Sequence, residues 1–404
     1  MLINPNNFPE SWGIKKIGDI ANVKGGKRLP RGEALSEIPN GHPYLRVVDF
    51  EDGDVNKADL RYVPCHVFPS IQNYTISSDD IYISIVGTIG LVGTISEDLN
   101  GASLTENAGK ICNISESVDK DFVAYFLRSG IGQSQISALT VGSTQPKLAL
   151  FRIQEIKIPL PGLATQRQIS YVLRALENKI RLNKDMNKTL EAMARAVFKD
   201  WFVDFGPVRA KMHGREPYLS REIWDLFPDR LDEEGKPKGW VNARLDDLIE
   251  IHDRKRIPLS GKERAQREDI YPYYGATGVL DYVDDYLFDG VHVLVGEDGS
   301  VVKDDGTPYV QYVWGQFWVS NHAHILTGKR VSEEFLYTLL NQINVRPYIT
   351  GAVQPKLSQR NLNVIPAIWP GSALEVAFSD VIRGLYAKVR TNTEESRTLQ
   401  YLRD

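Results

Sequence analysis

Cysteine is nearly absent. The 404 residues hold two, Cys65 and Cys112. They share no metal-type spacing, so neither a disulfide framework nor a thiolate zinc site is indicated, and free thiols of a cytosolic protein are expected. No run of about 18 apolar residues occurs, so no helix is expected to cross a membrane. The opening Met1-Leu2-Ile3-Asn4-Pro5 lacks the basic and apolar regions of a signal peptide, and a cytoplasmic location follows as the expectation. The phosphate-cradling Gly-x-x-x-x-Gly-Lys-Ser/Thr loop is missing, which argues against P-loop nucleotide hydrolysis, and no Gly-x-Gly-x-x-Gly follows a strand. An excess of positive charge is missing too: 48 Lys and Arg face 52 Asp and Glu, a net charge of −4, so total charge does not mark a nucleic-acid binder.

What is present begins with composition. Hydrophobic residues are 42% and charged residues 25%, as in a globular protein with real cores, and the length suits two or three domains. The chain also repeats itself. Gly142-Ser143-Thr144-Gln145-Pro146-Lys147-Leu148 returns as Gly351-Ala352-Val353-Gln354-Pro355-Lys356-Leu357, with Gln145 and Gln354 209 residues apart. Pro161-Gly162 returns as Pro370-Gly371 at the same offset. Trp12 with Ile17-Gly18-Asp19-Ile20 resembles Trp240 with Leu245-Asp246-Asp247-Leu248, but there the offset is 228; Phe122 and Phe335 differ by 213. The joint repeats closely, whereas the globular parts differ by insertions and deletions.

Five segments follow. Residues 1–162 form a strand-rich module, with Ile81–Gly87 a strand ending in a Gly turn. Residues 163–205 are helical. Residues 206–239 are a connector, opened by Gly206-Pro207 and closed by the loop Gly235-Lys236-Pro237-Lys238-Gly239. Residues 240–371 are a second strand-rich module, with Val291–Gly296 matching the first strand. Residues 372–404 are helical. The expected class is α+β: two globular mixed α/β modules separated by two long helices.

The helices carry the strongest periodicity. Ile169, Leu173, Leu176, Ile180, Asn183, Asn187, Leu190, Ala194, Val197 and Trp201 follow 4-3 spacing, a heptad seam. Adding 209 gives Phe378, Ile382, Leu385, Val389, Asn392, Ser396 and Leu399. Asn183 and Asn392 are equivalent, and a polar seam residue fixes register at some cost in stability. A helix of about 38 residues spans about 57 Å. The simplest partner of each helix is the other, as an antiparallel coiled coil, for which a connector of about 34 residues is long enough.

Catalytic constellations are weak. Asn4-Pro5-Asn6-Asn7-Phe8 superficially approaches an amino-methyltransferase motif but lacks its second Pro, and reads better as a turn. Glu155-Ile156-Lys157 fits half of a nuclease site without a partner Asp, and reads better as a strand with alternating charges. His322 and His324 could ligate a metal from one strand, yet no third ligand stands out.

Recognition chemistry is better represented. Residues 15–31 concentrate cations, with Lys24, Lys27, Arg28 and Arg31 around Gly25-Gly26. Residues 254–267 do the same with Arg254, Lys255, Arg256, Lys262 and Arg264. Lys27 and Lys255 each lie 15 residues after the Trp landmark. Arg can bond a guanine edge through two hydrogens, and Lys or Arg can neutralise phosphate; solvated surface loops are the alternative. Tyr273 and Tyr274 either pack in the core or contact sugar and base. Lys147 and Lys356 either contact phosphate or belong to a structural turn before the last strand.

These landmarks together resemble the DNA-specificity subunit of type I restriction–modification systems. The likeness rests on Trp12 with Ile17-Gly18-Asp19-Ile20, Thr144-Gln145-Pro146-Lys147-Leu148, and Ile156-Lys157-Ile158-Pro159-Leu160-Pro161 leading into Gln166-Arg167-Gln168-Ile169. It extends to Ala196, Val197, Phe198, Trp201, Phe202, Phe205 and the loop Lys236–Trp240. The resemblance implies two target-recognition domains on a bipartite double-stranded DNA site, with the helices as a ruler, and a subunit that is not itself catalytic. It implies partners: modification subunits that methylate adenine with S-adenosylmethionine, and restriction subunits that use ATP and Mg²⁺, so that no cofactor belongs to this chain. Phe198, Trp201, Phe202 and Phe205 crowd one helix end and need a cover, either the connector or a helix of a modification subunit. A scaffold with two carbohydrate- or protein-binding modules is the alternative in another class, which salt-dependent, two-part DNA binding would separate.

Overall fold

The structure, a computed structural model, describes residues 8–9, 11–51, 53–142, 145–351 and 353–403. The expected turn at 4–7, the start Met1–Pro5, the repeat residues Ser143, Thr144 and Ala352, and Asp404 lie outside the described residues. Two compact units result, Met1–Arg181 with Ser396–Asp404, and Leu182–Glu395, so each unit holds part of both long helices.

In the first unit, a four-stranded antiparallel sheet has the order Asn22–Gly25, Ala108–Cys112, Ile81–Ser84, Val92–Gly93. All four residues of Ile81–Ser84 are buried, as a central strand covered on both faces requires. A second sheet runs Arg61–Tyr62, Pro43–Leu45, Ala102–Leu104, Thr75–Ile76, with Pro43–Leu45 parallel to Ala102–Leu104. Gly13–Lys16 pairs with Lys157–Leu160. The second unit repeats the plan. Its four-stranded sheet runs Ile249–Ile251, Ala323–Gly328, His292–Gly296, Val310–Val313. Tyr271–Tyr274 lies between Val279–Val283 and, in parallel, Trp318–Val319. Val241–Arg244 pairs with Pro366–Trp369.

The Ile-Gly-Asp-Ile and Leu-Asp-Asp-Leu landmarks are single helical turns. Asp19 accepts from the Lys16 amide at 2.9 Å and Asp247 from the Arg244 amide at 2.9 Å, while Ile17, Ile20, Leu245 and Leu248 enter the cores.

The first long helix covers Leu163–Phe198 and continues as a π-helical turn over Lys199–Val203; the second covers Ser372–Arg403. Every residue of the first heptad seam is buried or half-buried, as are the seven equivalents on the second helix. Within the second unit the helices run antiparallel. Asn183 Nδ2 donates to Asn392 O at 3.3 Å and to Glu395 Oε2 at 2.9 Å. One turn on, Asn187 Nδ2 donates to Thr393 Oγ1 at 3.1 Å, and Asn392 Nδ2 returns to Asn187 Oδ1 at 2.9 Å.

The foot of each helix carries an equivalent clamp, with Gln166 and Glu375 lying 209 residues apart. Gln166 Oε1 accepts from the Asp119 amide (2.9 Å), and Ser170 Oγ donates to Asp119 Oδ1 (2.6 Å). In the other unit Glu375 Oε1 accepts from the Ser332 amide (2.8 Å), and Ser379 Oγ lies 2.7 Å from Ser332 Oγ. Asp119 and Ser332 cap the module helices Lys120–Arg128 and Glu333–Leu340. Each long helix therefore grips the N-terminus of a helix in its own module, across 47 residues in one unit and 43 in the other.

Candidate nucleic-acid interface

The repeated Gln-Pro-Lys-Leu is a turn. Val141 and Lys147 exchange backbone hydrogen bonds at 3.0 and 2.8 Å; Thr350 and Lys356 do so at 2.9 and 2.7 Å. Gly142 and Gly351 stand at φ +102° and +88°, a region a side chain resists. Leu148 and Leu357 then drop into the cores, their amides donating to Ile85 O and Glu297 O. Lys147 is exposed, while Lys356 Nζ lies 3.2 Å from Glu297 Oε1.

The first basic loop leaves the Asn22–Gly25 strand. Its base is stitched down: the Gly26 amide donates to Ala108 O (3.0 Å) and the Lys27 amide to Leu104 O (2.8 Å). A Cβ at Gly26 would stand 2.1 Å from Thr105 O, so only glycine fits. Lys24, Lys27, Arg28 and Arg31 are all exposed. Lys24 sits opposite Lys110 across the ladder, on the wall of a cavity of about 570 Å³ that also shows Lys120 and Asp80. Burial lowers the Lys120 pKa, whereas Lys110 pairs with Asp80 at 2.8 Å. Lys27 Nζ lies 5.4 Å from the centre of the Tyr74 ring.

Sequence reading missed Tyr44 and Glu106. The Tyr44 hydroxyl lies 3.0 Å from Lys27 O and 3.2 Å from Glu106 Oε2, its single proton between two acceptors, and Glu106 Oε1 accepts from Arg28 Nε at 2.7 Å. Burial raises the Tyr44 pKa to about 12 and pushes the Glu106 carboxyl up, but the Arg28 bond and its charge more than offset this for Glu106, whose pKa falls below the ordinary value. The available signal was the pair Pro43-Tyr44 and Pro272-Tyr273, which occupy matching places beside Ala102–Leu104 and Trp318–Val319.

The second loop is divided. Arg254, Lys255 and Lys262 are exposed. Four other expectations of DNA contact there require correction. Arg256 is drawn inward: Nη1 donates to Glu297 Oε2 (2.7 Å) and Ala323 O (2.8 Å), and Nε to Asp253 O (3.1 Å). Arg264 donates to Asp281 Oδ2 (2.8 Å) and Leu259 O (2.7 Å) and lies 5.0 Å over the Tyr273 ring. Tyr273 is 1% exposed, its hydroxyl accepting from the Leu259 amide at 3.1 Å, and Tyr274 packs edge-on against Phe317. Each of these side chains is spent on shaping the loop.

His322 and His324 do not converge. His322 hydrogen-bonds Asp298 at the surface. His324 is fully buried, with Nδ1 2.6 Å from Asp253 Oδ2 and Nε2 2.7 Å from Leu357 O. Ligand atoms of Asp253, Glu297 and His324 fall within 4.8 Å of one another, and the cations they face are Arg256 and Lys356.

The aromatic cluster is also corrected as an exposed docking surface. Phe198 and Trp201 are 2% exposed, and Phe202 and Phe205 are buried. Phe202 meets Phe335 and Phe378 at 5.3 and 5.2 Å, Trp201 meets Phe227 at 5.3 Å, and Phe205 meets Trp240 at 5.6 Å, all as edge contacts. Phe227 of the connector and Trp240 at the start of the second module supply the cover. Among the described residues no helix is long and apolar enough to cross a membrane.

Comparison with known proteins accords with this arrangement. The chain is 24% identical over 431 residues to the type I restriction enzyme MjaIX specificity subunit of Methanocaldococcus jannaschii, covering 98% of this chain and 92% of that one. It is 24% identical over 468 residues to the HindI specificity subunit of Haemophilus influenzae, covering 97% of each. The crystal structure of a type I restriction–modification S subunit from M. genitalium shares the fold, with a TM-score of 0.54 at 17% identity, over 100% of this chain and 96% of that one. The profile of the family described as type I restriction modification DNA specificity domain matches residues 9–192 and again 237–371, so the chain belongs to that family, and carries its domain twice.

Proposed function

We propose that this chain reads double-stranded DNA at a two-part site, one module to each half, and that its paired helices set the spacing between halves. The observation that carries the reading is the repetition: two modules of one sheet order, each with exposed cations after its first sheet strand and each clamped to a long helix at an equivalent joint. Lys24, Lys27, Arg28 and Arg31 serve one half, and Arg254, Lys255 and Lys262 the other, with Lys147 and Lys356 as flanking phosphate contacts. Cationic loops on rigid strands bind a polyanion with a strong salt dependence despite the net charge of −4, because the field that matters is local.

The chain itself directs rather than catalyses. Modification subunits methylate adenine with S-adenosylmethionine, and restriction subunits translocate and cut with ATP and Mg²⁺, at the site this chain selects. Asn183 and Asn392 fix the helix register, and with it the spacing. Selection from a random duplex library by the full chain is expected to return a two-part motif with a fixed gap. Replacing Lys27 and Arg28 together by Ala is expected to erase preference in one half only; equal loss in both halves contradicts the modular assignment. Replacing both Asn183 and Asn392 by Leu is expected to keep the helices paired but broaden the gap, and an unchanged gap removes the register role.

A further inference from the structure

We infer that Arg28 reads a guanine, and that Glu106 and Tyr44 are the residues that position it. The inference rests on the DNA-reading role proposed above and names the base and the reader within one half.

The argument begins with the backbone. Gly26 lies against Leu104 and Thr105 with no room for a side chain, and the amides of Gly26 and Lys27 are bound to Ala108 O and Leu104 O. Arg28 therefore stems from a backbone fixed to the sheet, although its side chain is 77% exposed. The guanidinium is then oriented from one edge. Glu106 takes Nε at 2.7 Å on Oε1, while its other oxygen is held by the Tyr44 hydroxyl and by Thr105 Oγ1, each at 3.2 Å. Among the described residues no protein group takes the two terminal Nη groups. A guanidinium tied at Nε presents a planar pair of N–H donors, the arrangement that matches O6 and N7 of guanine in the major groove. A lysine has no such edge to hold and no such fork to present.

An exposed ion pair made only for stability has little value. Here the carboxylate, in the turn between Ala102–Leu104 and Ala108–Cys112, is seated by two hydroxyls, so the pair is built to fix a direction. The equivalent Arg256 has no such freedom, because Glu297 and the Asp253 and Ala323 carbonyls consume its donors. The two modules therefore do not share this reader.

The test is selection of half-sites from a random duplex library by the full chain and by Arg28→Lys, Glu106→Gln and Arg31→Ala. The wild type is expected to fix one guanine that Arg28→Lys loses by roughly tenfold or more, with the other half-site intact as a check on folding. Glu106→Gln keeps the cation but loosens its direction, and weakens the same position only. Arg31→Ala lowers affinity without moving any base preference. A wild-type motif unchanged in Arg28→Lys overturns the inference while leaving DNA reading in place. No motif from the wild type overturns both.

Discussion

The seat beneath the Gln-Pro-Lys-Leu turn is built from opposite materials in the two units. In the first, Gly25 faces Gly109 across the ladder, and Leu150 fills the space: its two methyls would lie 3.2 and 2.9 Å from a Cβ placed on either glycine. In the second, Asp253 and His324 occupy those places, joined by Arg256, Glu297 and, at the exposed rim, Lys356 into an ionic network. Both seats hold the same turn at the same register. An apolar plug does so without constraining the cations above it. An ionic network does so by conscripting one of them, which is why Arg256 turns inward while Arg28 remains exposed.

The largest expected effect breaks the ionic seat. His324→Ala removes the ring between Asp253 and Leu357 O and leaves buried charge short of a partner, at a cost of about 3–5 kcal/mol. Hydrogen exchange should show lost protection over Ile249–Ile251 and Ala323–Gly328, with Asn22–Gly25 and Ala108–Cys112 unchanged. Comparable loss in both units would mean that the seats are not independent.

Asp253→Asn sharpens the comparison through pH. Burial pushes the Asp253 carboxyl up, but the hydrogen bond and charge of His324, the Ile325 amide and Arg256 more than offset this and hold its pKa below the ordinary value. A carboxylate whose pKa is depressed by folding stabilises the folded state above its unfolded pKa, about 3.9, and that contribution is lost as pH falls through the folded value. Asp253→Asn should therefore cost about 2–3 kcal/mol at pH 7, and the gap to the wild type should close below about pH 4. A cost that does not vary with pH would assign the role to shape rather than charge.

Leu150→Ala is the matching break in the apolar seat. The side chain is half-buried against its core, so a loss of about 2 kcal/mol is expected, indifferent to pH and confined to exchange in the first unit. A pH-dependent cost there would erase the distinction between the seats.

The contrast shows which parts of the molecule were legible in sequence. Periodicity exposed the helices because a seam repeats along the chain, and the offset of 209 exposed the joint because the turn, the last strand and the helix foot follow one another without a change of length. The seat was illegible. Gly25, Gly109 and Leu150 are far apart in sequence, and nothing local says that they touch. Arg28 and Arg256 hold the same place after their Trp landmarks, and both read as solvent-facing cations. Their fates are decided by residues far along the chain, Glu106 in one unit and Glu297 in the other. Composition likewise flagged the Phe198–Phe205 cluster as needing a cover, but only tertiary packing identifies Phe227 and Trp240 as that cover.

The smallest expected effect lies in the turn itself. Lys356 is held 3.2 Å from Glu297 and remains half-exposed, so Lys356→Ala should cost less than about 1 kcal/mol, and Lys147→Ala, which breaks no ion pair among the described residues, should leave stability unchanged. Binding should order the two the other way. A cation that contacts phosphate releases about 0.9 counterion per contact, and Lys147, without a carboxylate to leave, can release its full share. Lys356 must first give up Glu297, so its removal should flatten the salt dependence less. Salt-titrated binding of the two variants to one duplex measures both slopes. Equal flattening would mean that the ion pair opens freely on DNA, and that the ionic seat, unlike its effect on Arg256, places no hold on the lysine of the turn.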